Sequence, residues 1–70
     1  MINTHLLRYL IAKNGDTTEA LALDLGISRT SLSSKINNKN EFKLSEVQKI
    51  IEKYKMSCTQ AQDTFFMKFI

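Results

Sequence analysis

Four polar side chains near the middle of the chain have the types and spacing of a surface that recognises another molecule by hydrogen bonds. Arg29, Thr30, Ser33 and Ser34 stand at i, i+1, i+4 and i+5, so a helix would present them on one face. An arginine guanidinium can donate two parallel hydrogen bonds to guanine, which is worth roughly 1–3 kcal/mol of discrimination. Hydroxyls pair with any base, and the threonine methyl can contact a thymine methyl. These residues are therefore candidates for reading bases in a DNA major groove, with Arg29 first among them.

The same residues also have a plainer interpretation. The three hydroxyl side chains would be equally at home on a solvated helix surface, and Arg29 would then make a surface ion pair with Asp24 or Glu19. The sequence leaves both interpretations open.

A reading face needs a helix that is fixed at its start and held down along its back. Leu32 and Ile36, four positions apart, would face inward, and Ser28 would accept from the free N–H groups that open the helix. Gly26 can adopt the positive φ that often follows a helix end. The pattern predicts a helix over about 29–36 that follows a sharp turn at Gly26.

The helix before the turn has one apolar stripe, formed by Leu21, Ala22 and Leu25. The small Ala22 would allow the two helices to approach closely. Asp16 or Thr17 is expected to cap this helix at its start.

Three further helices are predicted around this pair. The first covers about Thr4–Lys13, with Asn3 or Thr4 as its cap and Asn14-Gly15 closing it. The fourth has an apolar stripe formed by Val47, Ile50, Ile51 and Tyr54.

The predicted starts of the last two helices depend on their capping residues. Ser45 is the expected cap of the fourth helix, because Lys43 cannot supply the accepting side chain of a capping box. Ser57, with Gln60 three positions later, has the spacing of a capping box and predicts the start of the fifth. Ala61 and Phe65 would face inward from it.

The positive charge of the chain is concentrated on the second helix of the pair and on the segment after it. The net charge is +3, and residues 29–43 hold four cationic side chains against the single acid Glu41. Such a patch suits phosphate contact, and a solvated lysine face is its plainer interpretation. Lys35 would either reach a phosphate or cover the core with its aliphatic stem. The candidates for phosphate contact are Thr18, Ser28, Asn37, Lys39 and Lys43.

Length and composition favour one small binding domain. Seventy residues allow a single domain over residues 1–70 with a marginal core, and the absence of proline with only two glycines favours helices. The single cysteine, Cys58, cannot form an internal disulfide, and no Cys/His cluster indicates a metal site. We expect an exposed His5, Cys58 as a small apolar filler and a partly buried Tyr9.

No catalytic arrangement is recognisable. The sequence shows no nucleophile with a base partner, no paired carboxylates and no phosphate-cradling glycine loop. We therefore expect neither an enzyme nor a cofactor, metal or small-molecule substrate. Arg8 interrupts the apolar start of the chain, so no membrane segment is expected and the cytoplasm is the default compartment.

The carboxy-terminal residues form an apolar tail over 66–70. Its apolar members, Phe66, Met67, Phe69 and Ile70, are more than five short helices need to bury. One reading helix gives too little specificity for a genome, so a homodimer on a two-fold site is implied, and the tail is its candidate surface. Alternatively, Phe65 and Phe69 complete the core and the last residues fray.

Residues 17–42 resemble the helix-turn-helix of the phage Cro and CI repressor class, also called the XRE class. The similarity lies in a capping Thr17, the pair Leu21-Ala22, the turn Gly26-Ile27-Ser28, and Leu32 with Ile36. The segment 35–46 is similar to small Cro-like regulators and modulators of repression of temperate phages of lactococci and related Gram-positive bacteria. The resemblance implies an all-α, lambda-repressor-like domain of five helices, with the helix-turn-helix unit over about 17–37.

Two functions follow from this resemblance. The first is a Cro-like transcription regulator of a lysis–lysogeny switch, which binds operator DNA in the bacterial host cytoplasm. The second is an antirepressor, or modulator of repression, which keeps the fold but binds a CI-type repressor protein and alters its hold on DNA.

Overall fold

Five helices and no strand make up residues 2–65, the part of the chain that the computed structural model describes. The helices are α1 (Thr4–Lys13), α2 (Thr18–Leu25), α3 (Arg29–Ile36), α4 (Leu44–Lys53) and α5 (Cys58–Phe65). The radius of gyration is 11.0 Å, and a packed chain of this length is expected to have about 11 Å. The prediction of a compact all-helical structure is confirmed.

Helix α1 begins and ends as its sequence predicts. The Asn3 side chain accepts a hydrogen bond from the Leu6 N–H at 3.1 Å, and Gly15 follows the helix with φ of 68°. The Asn3 N–H donates to the Thr64 carbonyl at 2.8 Å, which ties the start of α1 to α5. Thr4 Oγ1 donates to the Ile36 carbonyl at 2.6 Å, so α1 also holds the end of α3.

All five helices contribute to one buried core, because each has a single apolar face. Its members are Leu7, Leu10, Ile11, Leu21, Ala22, Leu25, Leu32, Ile36, Val47, Ile50, Tyr54, Met56 and Phe65. Ala61 is buried as well, as expected, and Ile51 is partly buried against the cluster. Met56 is an unexpected member, since it lies in the connection between α4 and α5, where no helical periodicity indicates an inward face.

The prediction that Ser45 caps α4 was wrong. Helix α4 begins at Leu44 with Lys43 at the cap position, and Ser45 lies within the first turn. The Glu46 carboxylate accepts a hydrogen bond from the Lys43 N–H at 2.9 Å, so the acidic half of a capping box is enough to start this helix.

Helix α5 has the complete capping box that was expected. The Ser57 hydroxyl accepts from the Gln60 N–H, and the Gln60 side chain accepts from the Ser57 N–H, both at 3.1 Å. Two smaller expectations were wrong: Cys58 is exposed at the start of the helix, and Tyr9 is exposed on α1. His5 is exposed, as expected.

The hydroxyl of Tyr54 joins the end of α4 to the segment before α2. It donates to Asp16 Oδ2 at 2.7 Å, and Lys53 Nζ lies 3.6 Å from the same oxygen. Burial works to raise the pKa of the Asp16 carboxyl, but the hydrogen bonds from Tyr54 and Thr17 and the charge of Lys53 hold that pKa below its ordinary value. Burial and the same hydrogen bond raise the pKa of Tyr54.

Replacing Tyr54 with phenylalanine keeps the buried ring and removes the donor to Asp16. We expect the free energy of unfolding at pH 7 to fall by about 1–2 kcal/mol, the lower part of the range for hydrogen bonds to charged groups. Because the pKa of Asp16 is lowered by folding, its contribution is complete above the unfolded value and is lost as the pH falls through the folded value. Urea unfolding of both proteins should therefore show a difference that narrows below about pH 4. A constant difference down to strongly acidic pH would contradict the role of the ionised Asp16.

The tail residues Phe66, Met67, Phe69 and Ile70 lie outside the described residues, so their assignment to a dimer or partner surface stays a prediction. Within residues 2–65, no helix has the length and apolar character needed to cross a membrane.

Candidate nucleic-acid interface

Helices α2 and α3 are joined by the three residues 26–28, and the joint has the geometry that glycine permits. Gly26 adopts φ of 74°, and its N–H donates to the last turn of α2. The Ile27 N–H donates to the Ala22 carbonyl at 3.1 Å, and the Ile27 side chain is partly buried against the core. At the other end of α2, Thr17 rather than Asp16 is the cap, and its hydroxyl accepts from the Ala20 N–H at 3.1 Å.

Replacing Gly26 with alanine tests whether this backbone conformation is what the turn requires. A Cβ added at Gly26 would have no atom of another residue beyond its chain neighbours within 4 Å, so the cost arises from the positive φ rather than from a clash. We expect a loss of about 1–2 kcal/mol in the free energy of unfolding. Gly26→Asn is the matched variant, and it should lose less, because asparagine adopts the left-handed region more readily. Equal losses for both variants in urea unfolding would count against this explanation.

Helix α3 is held at its start and along its back as predicted. The Ser28 hydroxyl accepts from the Ser31 N–H at 3.0 Å. Leu32 and Ile36 are buried, with Leu32 fully inaccessible. The opposite face of the helix is consequently directed away from the core.

The four base-reading candidates lie together on one concave surface, which we call the polar depression. It has a volume of about 260 Å³. Its lining residues are Arg8, Thr18, Arg29, Thr30, Ser33, Ser34, Ile36, Asn37 and Lys39. Three of the five phosphate candidates, Thr18, Asn37 and Lys39, share it with the base-reading candidates. Ser28 and Lys43 do not line it, and the Ser28 hydroxyl is engaged in capping α3.

The polar depression is positively charged. Its described lining includes the cations Arg8, Arg29 and Lys39 and no acidic side chain. Arg29 is exposed and forms no ion pair with any residue of the described part of the chain, so the pairing with Asp24 or Glu19 that belonged to the plainer interpretation is not found. Asp24 pairs with Lys53 instead. The Arg29 guanidinium is therefore available to an external acceptor.

Arg8 is a member of this surface that sequence reasoning missed. Its Nη2 donates to Asn37 Oδ1 at 3.0 Å, which joins the outer face of α1 to the end of α3. The available signal was its position on α1 outside the buried stripe of Leu7, Leu10 and Ile11. That signal shows only that Arg8 is exposed, and its proximity to Asn37 depends on how α1 packs against α3.

The segment after α3 is fixed by asparagines. Asn38 adopts φ of 63°, as expected for a residue that tolerates the left-handed region. Its Oδ1 accepts from the Ile2 N–H at 2.7 Å, and its Nδ2 donates to the Ile2 carbonyl at 3.1 Å. The Lys39 N–H donates to the Ser34 carbonyl at 2.8 Å, which positions Lys39 at the edge of the polar depression.

Lys35 forms an ion pair with Glu46 that was not considered from the sequence. Its Nζ lies 2.7 Å from both carboxylate oxygens of Glu46, and the two side chains are only 12% and 7% exposed. Burial works to raise the pKa of the Glu46 carboxyl, but the hydrogen bond and charge of Lys35 and the Lys43 N–H hold it below its ordinary value. The ion pair connects α3 to α4 outside the polar depression, so Lys35 helps to position α3.

Comparison of the chain with protein-family models, with curated proteins and with solved structures found no match.

Proposed function

We propose that this protein is a sequence-specific DNA-binding regulator of transcription whose α2–turn–α3 unit acts as a helix-turn-helix. The observation that carries the proposal is the polar depression. There, within residues 2–65, Arg29 has no ion-pair partner, and the described lining around it holds four hydroxyl side chains, two further cations and no acidic side chain. A surface of this composition is complementary to a phosphate backbone and to the acceptor-rich edge of guanine.

The residues of the polar depression divide into two groups by the part of the DNA that each would contact. Arg29, Thr30, Ser33 and Ser34 lie on the outward face of α3 and would contact base edges in the major groove. Arg8, Thr18, Asn37 and Lys39 lie around them and would contact phosphates, which fix orientation without reading sequence. A single bidentate contact per subunit is too little for a genome, so two copies would bind a two-fold site with half-sites about 34–36 Å apart.

Together with the similarity of residues 17–42 to phage Cro and CI repressors, these features favour a Cro-like role in a lysis–lysogeny switch. The test is enrichment of the purified protein against a random duplex DNA library at near-physiological salt. We expect a two-fold symmetric site, and affinity for it should fall with a log–log salt slope of about −4 to −7, as for several phosphate contacts per subunit. Failure to enrich any sequence would contradict the proposal.

A second candidate function is that of an antirepressor that binds a CI-type repressor protein. The observation that favours it is the composition of the outer surface of the α2–α3 pair. Three hydroxyls discriminate weakly among bases, and Leu23 of α2 is 82% exposed, an apolar side chain that DNA recognition does not need. Binding to such a repressor should depend only weakly on salt, and Leu23→Ser should weaken it while leaving DNA binding unchanged.

A further inference from the structure

A second concave surface lies away from the polar depression and has a different character. It is a groove of about 610 Å³, within the usual range of roughly 300–1,000 Å³ for ligand sites. Five of its lining side chains are apolar: Ile2, Phe42, Leu44, Val47 and Phe65. We call it the apolar groove. Its described lining has no residue in common with the polar depression, so DNA binding does not explain it.

The floor of the apolar groove is well packed. The rings of Phe42 and Phe65 meet edge to face, with centroids 5.7 Å apart, and Val47 is buried beside them. Leu44, by contrast, is not buried: it is 67% exposed on the first turn of α4. An exposed leucine beside a concave apolar floor leaves a continuous apolar area for another apolar segment to cover.

We propose that the apolar groove is the binding site of the chain's own segment 66–70. This segment continues directly from Phe65, which itself lines the groove, so no connecting chain is needed to reach it. Fully extended, five residues span at most about 17 Å.

The chemistry of the segment matches the groove. Four of its five side chains are apolar, like the floor of the groove, and its one charged side chain, Lys68, is opposite in sign to Glu41, the one charged residue of the described lining. A segment attached at the rim occupies the groove at a high effective concentration, which a second copy at micromolar concentration cannot equal. The occupant is therefore the same chain, and the inference stands whether or not the protein binds DNA.

Nuclear Overhauser contacts measured in the full chain test directly whether segment 66–70 binds in the apolar groove. In uniformly ¹³C-labelled protein, we expect contacts from the ring of Phe69 to the methyl groups of Leu44 and Val47. A sample mixed from labelled and unlabelled chains should show none of them in an isotope-filtered spectrum. Contacts in the filtered spectrum would show that a second copy fills the groove, and an absence of contacts in both samples would show that the segment does not bind there. Either result overturns the proposal.

Substitutions at the surface extend the test without disturbing the core. Leu44→Asp should move the Phe69 and Ile70 resonances to their random-coil positions, whereas Leu23→Asp, a similarly exposed leucine of α2 outside the groove, should leave them unchanged. Glu41→Lys should weaken the docking, and combining it with Lys68→Glu should restore it. Equal effects of the two aspartate variants on the Phe69 and Ile70 resonances would contradict the proposed binding site. So would a failure of Lys68→Glu to restore docking in the Glu41→Lys variant.

Discussion

Replacement of Lys35 with alanine is expected to lower the free energy of unfolding by about 3–5 kcal/mol, the cost typical of removing one member of a buried ion pair. The reason is the carboxylate of Glu46, which is 7% exposed and would lose both charged contacts at 2.7 Å. A domain of 70 residues has a total stability of roughly 4–10 kcal/mol. The variant should therefore lose a large share of its stability and unfold at a much lower urea concentration than the parent protein, as followed by far-ultraviolet circular dichroism.

The matched control is Asp24→Ala, which breaks a pair at the surface and leaves the contact of Lys53 with Asp16 in place. The Asp24 side chain is 51% exposed, and such pairs contribute about 0–1 kcal/mol. Similar losses for the Lys35 and Asp24 variants would show that the Lys35–Glu46 pair has no special role.

The stabilisation by Lys35 should also depend on pH in a defined direction. Folding lowers the pKa of Glu46, so the contribution of the pair is complete above the unfolded value and is lost as the pH falls through the folded one. The difference between the parent protein and the Lys35 variant should then be largest near neutral pH and should shrink below about pH 4.

Local features of this fold could be predicted because neighbouring residues determine them. The bounds of α3, the cap at Ser28 and the left-handed Gly26 all depend on residues within one helical turn. The capping box of Ser57 and Gln60 is another case, since its two partners are three positions apart. At such separations, residue type and spacing carry the needed information.

The contacts that position the polar depression could not be predicted in the same way. Arg8 and Asn37 are 29 positions apart, and Tyr54 and Asp16 are 38 apart. Each contact depends on how whole helices pack, which the periodicity of one helix does not specify. For this reason the charge pattern indicated the cations of residues 29–43 but missed Arg8.

Lys35 is a case in which the charge pattern of the sequence included a residue that does not belong to the polar depression. The sequence places it on α3 among the cations, and the charge pattern alone groups it with the patch that faces a partner. Its charge is instead neutralised by Glu46, which stands at the start of α4. The count of cationic side chains therefore overstates the positive charge at the polar depression, where the cations are Arg8, Arg29 and Lys39.

Replacement of Arg29 with alanine is expected to have the largest effect on DNA recognition. Loss of a bidentate contact to guanine costs roughly 1–3 kcal/mol, and a two-fold site contains two such contacts that are roughly additive. The variant should bind the selected site about 2–6 kcal/mol more weakly and should accept any base at one position of each half-site. The measurement is quantitative binding to the selected site and to its single-base variants at fixed salt.

Lys39→Ala is the control that separates base reading from charge. Both side chains line the polar depression and each variant removes one positive charge, so a purely electrostatic role predicts the same loss for both. Contact with a base predicts instead that Lys39→Ala weakens all sequences equally and reduces the salt slope, whereas Arg29→Ala removes a preference at one position. If the Arg29 variant kept the full base preference, α3 would not be the reading helix. The exposed apolar surface of α2 and a protein partner would then become the better explanation.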